Sequence, residues 1–291
     1  MAGAEFASTA PKDAGREFAF TTEDFRTIAA VLHGDAGIYL PDTKATLVYS
    51  RLAKRLRLLG MSSFRDYCAL IQGQQGVDER QAMLAALTTN VTRFFREPHH
   101  FDHLRDTIMP VLAARAKAGG RVRLWSAACS TGQEPYSMAL CVLAGLPDAA
   151  RYDVRILATD IDPNVVQTAR EGVYSREALE AVPAGDRKHL RKAPDAGADM
   201  WRMSEETQEL ITFRELNLIK PWPMKGRFDV IFCRNVVIYF DDATQEQVWR
   251  KFIEVMNPGA RLYIGHSERV TGDGGRLTSD GLTVYKVGGQ L

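Results

Sequence analysis

The chain has 291 residues, 45% hydrophobic and 25% charged, with 37 Lys plus Arg against 36 Asp plus Glu and a net charge of +1. This is the composition of an ordinary folded chain of one or two domains; it excludes a collagen-like repeat, a disulfide scaffold and a bulk basic excess able to hold nucleic acid. No run approaches the roughly 18 to 20 apolar residues of a membrane helix, and Met1 to Arg16 lacks the basic and apolar regions of a secretory leader, so a cytoplasmic chain with no membrane insertion is expected.

Residues 1–20 are small, Ala-rich and without period, and read as a flexible tail. Thr21 then caps a helix whose apolar positions Phe25, Ile28, Ala29 and Leu32 recur at helical spacing, until Gly34 and Gly37 break the pattern. A second helix runs from near Pro41 to Gly60, a good C-terminal stop, and two shorter ones follow around Ser63 to Gln72 and Asp78 to Leu87. Residues 21–90 are therefore a small helical domain, and 91–118 a linker with a helix. Beyond Gly119-Gly120 the texture changes. Val122 to Ser126, Asp153 to Ala158, Phe228 to Cys233 and Ala260 to Gly265 read as buried strands alternating with helices, which is an α/β domain over 119–291 with a parallel sheet covered on both faces. Residues 183–215 break this rhythm and read as a small antiparallel β-insert, with Met200 to Met203 and Leu210 to Phe213 as its strands.

On the second helix, Val48, Leu52, Leu56 and Leu59 form a core-facing stripe, while Arg51, Lys54 and Arg55 share a neighbouring face and Arg57 lies further round. Such a stripe is either a solvated face or a docking surface for an acidic partner, and composition does not choose. Cys68, Cys129, Cys141 and Cys233 form no Cys-x-x-Cys pair and no metal spacing, so reduced thiols without a metal are expected.

Three segments carry chemistry. Leu124 to Ser137 is a strand, a turn of small residues and a helix start; the small side chains let a ligand approach the backbone, although three spaced glycines are absent. Asp160 ends the next strand, 28 positions after Gly132, where an acid can hold a ribose diol, and Asp162 before Pro163 reads as the cap of the following helix. Asn235 and Tyr239 follow the strand ending at Cys233, over the same crevice. The spacing does not suit a dinucleotide dehydrogenase. A nucleic-acid methyltransferase would need a broader basic tract, and a non-catalytic adenosyl-binding adaptor is the alternative from another class.

Together, Asn90-Val-Thr-Arg-Phe-Phe-Arg-Glu97, Ala127 to Ser137, Ala158-Thr-Asp-Ile-Asp162 and Cys233-Arg-Asn-Val-Val-Ile-Tyr-Phe-Asp241 resemble the chemotaxis receptor glutamate methyltransferases (CheR), in the same order across about residues 20–287. The resemblance implies a Rossmann-like S-adenosylmethionine-dependent enzyme behind a small helical domain, methylating glutamates on chemoreceptor cytoplasmic helices and releasing S-adenosylhomocysteine. It implies cofactor contacts at Asn90, Thr92, Arg96, Glu134, Asp160, Asn217, Leu218, Arg234 and Asn235. It also implies a reacting centre organised by Arg96 and Tyr239, and receptor docking by Arg51, Lys54, Arg55 and Arg57. The family's β-subdomain, which in some members binds a tethering peptide at the receptor C-terminus, corresponds to residues 183–215.

Overall fold

The computed structural model describes residues 16–289, so most of the segment read as a tail lies outside the described residues. The chain divides into two compact units, one holding the described residues up to Asp35 together with Tyr39–Thr88, the other Ala36–Ile38 with Thr89 onward.

The first unit is helical: α1 (Thr22–Ala36), α2 (Ala45–Leu59), α3 (Phe64–Gln72) and α4 (Val77–Leu87). Thr21 and Asp24 form a reciprocal cap, the Asp24 N–H donating to Thr21 Oγ1 at 3.1 Å and the Thr21 N–H to Asp24 Oδ2 at 2.8 Å. Contrary to the sequence expectation, α1 continues through Gly34, and the left-handed φ of +72° at Gly37 follows its end. Gly60, at φ +65°, closes α2 as expected. Val48, Leu52 and Leu56 of α2 are buried, whereas Leu59 is exposed. Residues 16–20 are not a tail: Phe18 and Phe20 are buried on Phe64, whose ring lies 4.5 Å from that of Phe20. Burial of the two aromatic rings anchors the segment to the helices.

The second unit carries helices α5 (Pro98–His103), α6 (Met109–Lys117), α7 (Gln133–Gly145), α8 (Pro163–Glu171), α9 (Glu205–Glu209) and α10 (Asp242–Glu254). A π-turn at Leu104–Ile108 joins α5 to α6 just before Pro110, whose missing N–H makes a regular helical bond impossible there. The strands are β1 (Val122–Ala127), β2 (Val154–Asp160), β3 (Val173–Ser175), β4 (Leu190–Lys192), β5 (Met200–Met203), β6 (Ile211–Glu215), β7 (Phe228–Cys233), β8 (Met256–Ile264), β9 (Leu277–Ser279) and β10 (Val284–Val287).

Seven strands form one sheet in the order β6-β2-β1-β7-β8-β10-β9. The first five run parallel, and β10 and β9 add antiparallel. Side chains alternate between two apolar layers: Leu124, Val230 and Phe232 pack with α6 and α7, while Trp125, Ile231 and Cys233 pack with α10. All six residues of β7 are buried, which explains its unbroken apolar run. From β1 the chain builds outward first through β2 and β6, then returns through β7 and β8. This reversal opens a crevice beyond the carboxyl ends of β1 and β7.

The small antiparallel sheet exists, in the order β3-β5-β4, but its bounds differ from the expected 183–215. Ile211–Glu215 belongs to the main sheet, where it pairs parallel to β2 with Ile156 opposite Ile211. Val173–Ser175 supplies the third strand instead. Ile211 and Phe213 are buried on the main core, an apolar gain the little sheet does not offer.

Candidate active site

Asp160, Asn217, Leu218, Arg234, Asn235 and Tyr239 lie at the ends of or just after the adjacent strands β2, β6 and β7, and Glu134 in the first turn of α7 after β1, whereas Asn90, Thr92 and Arg96 lie in the segment before α5. Main-chain conformation is unusual here. Ala128, Ser130 and Asn235 have φ of +68°, +49° and +58°, and Phe95 and Glu97 in the segment before α5 have +50° and +58°. Left-handed non-glycine residues are costly and concentrate at functional sites. Gly132, at φ +98°, starts α7, and a Cβ there would lie 2.7 Å from the Tyr174 hydroxyl and 2.8 Å from the Ala169 methyl. Tyr174 of β3 donates to the carbonyl of Thr131 at 2.7 Å, so the small sheet buttresses this turn.

At the tip of β2, Asp160 is buried with each oxygen accepting one backbone N–H: Oδ2 from Ser130 at 2.8 Å and Oδ1 from Asp162 at 3.1 Å. Burial pushes its pKa up, opposed by those donors. A carboxylate has about four acceptor positions, so both oxygens retain capacity for a vicinal diol. Asp162 caps α8 through the Asn164 N–H at 2.9 Å, as expected, and also accepts from Asn90 Nδ2 at 3.4 Å. Asn90 in turn accepts from Ser130 Oγ through its carbonyl at 3.0 Å. Thr92 is half-buried in the same segment.

In α7, Glu134 is buried and accepts from Ser126 Oγ at 2.7 Å and from Arg234 Nη1 at 3.0 Å. Burial raises its pKa, and Arg234 and Ser126 oppose the rise. Arg234 also donates to the carbonyl of Arg96 and lies 3.2 Å from Glu97. Arg96 itself is half-buried, its Nη1 donating to the carbonyl of Val91 at 2.9 Å and closing the 91–96 loop. Beyond β6, the Asn217 side chain accepts the Ile219 N–H at 3.0 Å. Leu218 is buried in the apolar layer around Trp125 and Val237, and its carbonyl accepts from Lys251 Nζ at 2.6 Å.

After β7, Asn235 leads into a short 3-10 turn, Val237–Tyr239, where Tyr239 is 40% exposed. A residue that sequence reasoning missed holds this loop: Glu268, after β8, accepts from the N–H groups of Asn235, Val236 and Val237. Its only sequence signal is an acid three positions beyond Gly265 at a strand end.

Glu97, His99 and His100 were also not singled out as a group, yet they bring three metal-type ligand atoms within 4.8 Å of one another. Arg234 already neutralises Glu97, and a fixed cation there disfavours a second one. His100 is fully buried, bonded to Thr283 Oγ1 at 2.8 Å and edge-on to Phe232 and Tyr263, which is a packing role. Burial pushes the Cys129 and Cys233 thiols well above their ordinary range, so neither is a nucleophile.

In the first unit the basic face of α2 is largely committed to the fold. Arg51 Nη1 donates to the carbonyls of Ala86, Leu87 and Thr88 at 3.3, 2.8 and 2.8 Å, satisfying the C-terminus of α4. Arg55 forks onto Glu79 at 3.0 and 2.5 Å, and Arg57 onto Glu17 at 2.9 and 2.6 Å. Lys54 is exposed.

At the strand tips, the paired acceptors of Asp160 keep capacity for the two hydroxyls of a diol and the small-residue turn leaves its backbone open to a ligand, while the Glu134 carboxylate is shared between Ser126 and Arg234. Residues 90–285 match the family model described as CheR methyltransferase, SAM binding domain, and residues 23–88 match CheR methyltransferase, all-alpha domain. The chain is 52% identical over 258 residues to a probable chemotaxis protein methyltransferase of Rhizobium etli, covering 88% of this chain and 96% of that one. It is 43% identical over 282 residues to chemotaxis protein methyltransferase 2 of Pseudomonas aeruginosa, covering 94% and 96%. It is 40% identical over 270 residues to the chemotaxis protein methyltransferase of Escherichia coli, covering 92% and 91%. With two family domains spanning residues 23–285 and relatives matched along nearly their whole length, this chain belongs to the CheR methyltransferase family and is an S-adenosylmethionine-dependent methyltransferase.

Proposed function

We propose that the chain methylates glutamate side chains on the cytoplasmic helices of chemoreceptors, producing glutamyl methyl esters and S-adenosylhomocysteine in the adaptation of chemosensory signalling. The observation that carries this reading is the strand order β6-β2-β1-β7, which sets side by side the strand ends that lead to Asn217, Asp160, Glu134 and Asn235. Asp160 holds the ribose and Glu134 the amino group, with Asn90, Thr92, Arg96, Asn217, Leu218, Arg234 and Asn235 completing the lining. S-adenosylmethionine supplies a methyl carbon on a cationic sulfur.

The accepting side chain needs little help. A glutamate with an ordinary pKa near 4.3 is ionised at neutral pH, so the chain supplies no general base. Opposite charges cancel as the ester forms, which a site shielded from water favours, and alignment contributes much of the remainder. Arg96 orients the incoming carboxylate and Tyr239 keeps the donor group in line. An arginine gripping too tightly would stabilise the charged ground state, so its work is orientation. No metal enters this chemistry.

The helical unit serves docking, with Lys54 of α2, the exposed cation of that face, attracting acidic receptor helices over a Debye length of about 8 Å. The sheet β3-β5-β4 is assigned to a receptor tether peptide where a receptor carries one. No described helix is long and apolar enough to cross a membrane; a cytoplasmic enzyme acting on receptor cytoplasmic helices is the setting proposed.

The test is transfer of labelled methyl from S-adenosylmethionine to receptor-rich membranes, followed by alkali. Esters release methanol in base, so label that becomes volatile supports the reading. Label that stays on the protein points to N-methylation and contradicts it.

A further inference from the structure

We infer that Glu268 is a positioning residue for methyl transfer, its carboxylate fixing the loop that presents Asn235 and Tyr239. The inference rests on the role of Tyr239 proposed above. Glu268 follows β8 in Gly265-His-Ser-Glu268 and is 4% exposed. Its Oε2 accepts the N–H of Asn235 at 2.9 Å and of Gly265 at 2.6 Å; its Oε1 accepts the N–H of Val236 at 2.9 Å and of Val237 at 3.0 Å. Four main-chain donors thus meet one buried carboxylate.

Three of those donors precede or begin the turn Val237–Tyr239, whose own capping residue, Val236, offers no side-chain acceptor. The first N–H groups of such a turn are left without intrahelical partners, and Glu268 supplies the acceptor from another loop. The bond to Asn235 also fixes a residue held at φ +58°. The approach is close enough to demand glycine at 265, where a Cβ would lie 2.5 Å from Asn235 Nδ2 and 2.9 Å from its main-chain nitrogen. Tyr239 donates its N–H to the Val236 carbonyl at 3.1 Å, and its side chain is half in solvent. The main-chain turn, more than burial of the ring, therefore decides where the phenol stands.

A carboxylate that only stabilised the fold would change the unfolding midpoint and leave the chemical step alone. A positioning carboxylate changes kcat through Tyr239. Glu268→Gln keeps the volume but turns an NH2 group toward two of the four donors. At saturating donor and receptor, its kcat is expected to fall about a hundredfold, the effect of roughly 1 Å of misplacement. Tyr239→Phe should also be slow, and the double variant no slower than the slower single one, because both changes remove the same interaction. If the two losses multiply while Tyr239→Phe alone is slow, the inference fails and the reading of Tyr239 stands. If Tyr239→Phe alone keeps full kcat, that reading fails and takes the inference with it. Should Glu268→Gln not fold, Glu268→Asp decides on the same terms: a retained kcat overturns the inference, and a loss that does not multiply with Tyr239→Phe supports it.

Discussion

Arg234 Nη1 donates to Glu134 Oε2 across 3.0 Å, tying the loop after β7 to the first turn of α7. The same guanidinium faces Glu97 at 3.2 Å and lies over the rings of Phe101 and Phe232, 5.6 and 5.8 Å from their centres. One buried cation therefore binds three segments of the site. Arg234→Met leaves the buried Glu134 and the partly buried Glu97 without it, and removing one partner of a buried pair costs about 3–5 kcal/mol. Arg234→Lys restores the charge without the fork and recovers only part of the loss. Chemical denaturation of the two variants measures this; an unchanged midpoint in Arg234→Met contradicts it.

On α2, stability and docking are expected to separate. Glu79 is buried and bonded to both Arg55 and the Tyr67 hydroxyl, the latter at 2.8 Å. Arg55→Ala leaves that carboxylate short of its cation and should cost about 1–3 kcal/mol. Lys54→Glu should leave the melting temperature alone and raise the receptor KM. If Lys54→Glu keeps the wild-type KM, the face is solvated surface.

Acid should weaken the fold in a definable window. Burial, then the charge of Arg234, push His100 down to about 3 from an ordinary 6.5. Burial alone would raise the Glu97 carboxyl, but Arg234 and His266 hold it down at about 2, against an ordinary 4.5. In both cases the unfolded chain takes up the proton first, so stability is full above the ordinary value and is lost as pH falls toward the folded one. His100 accounts for the interval from 6.5 to about 3, and Glu97 for that from 4.5 to about 2. The slope from one such group is about 1.4 kcal/mol per pH unit. A denaturation series across this window should be shallower for His100→Gln, and identical slopes would exclude His100 as a source.

The sequence was informative where a residue's role depends on its own neighbours in the chain. The run Phe228 to Cys233 is a strand buried on both faces, and Asp160 ends a strand, which places an acid at the crevice without knowledge of any contact. Capping by Thr21, Asp162 and Gly60 is equally local. What stayed hidden depends on distant partners. Arg51 and Arg55 look like one charged stripe until the α4 carbonyls and Glu79 are seen beside them. Leu210 to Phe213 alternates like any short strand, and only the pairing of Ile211 opposite Ile156 assigns it to the main sheet. Glu268 acts on main-chain groups more than thirty positions away, and no local pattern encodes that.

The proposed function requires that the strand-tip crevice bind the adenosyl donor through Asp160. Calorimetric titration of the pure protein with S-adenosylhomocysteine tests it most directly. Single-site binding is expected, weakened at least about tenfold in Asp160→Ala, since hydrogen bonds to a charged acceptor are worth about 1.5–3 kcal/mol each. Binding of equal strength in the folded Asp160→Ala variant, or no binding by the wild-type chain, would contradict it.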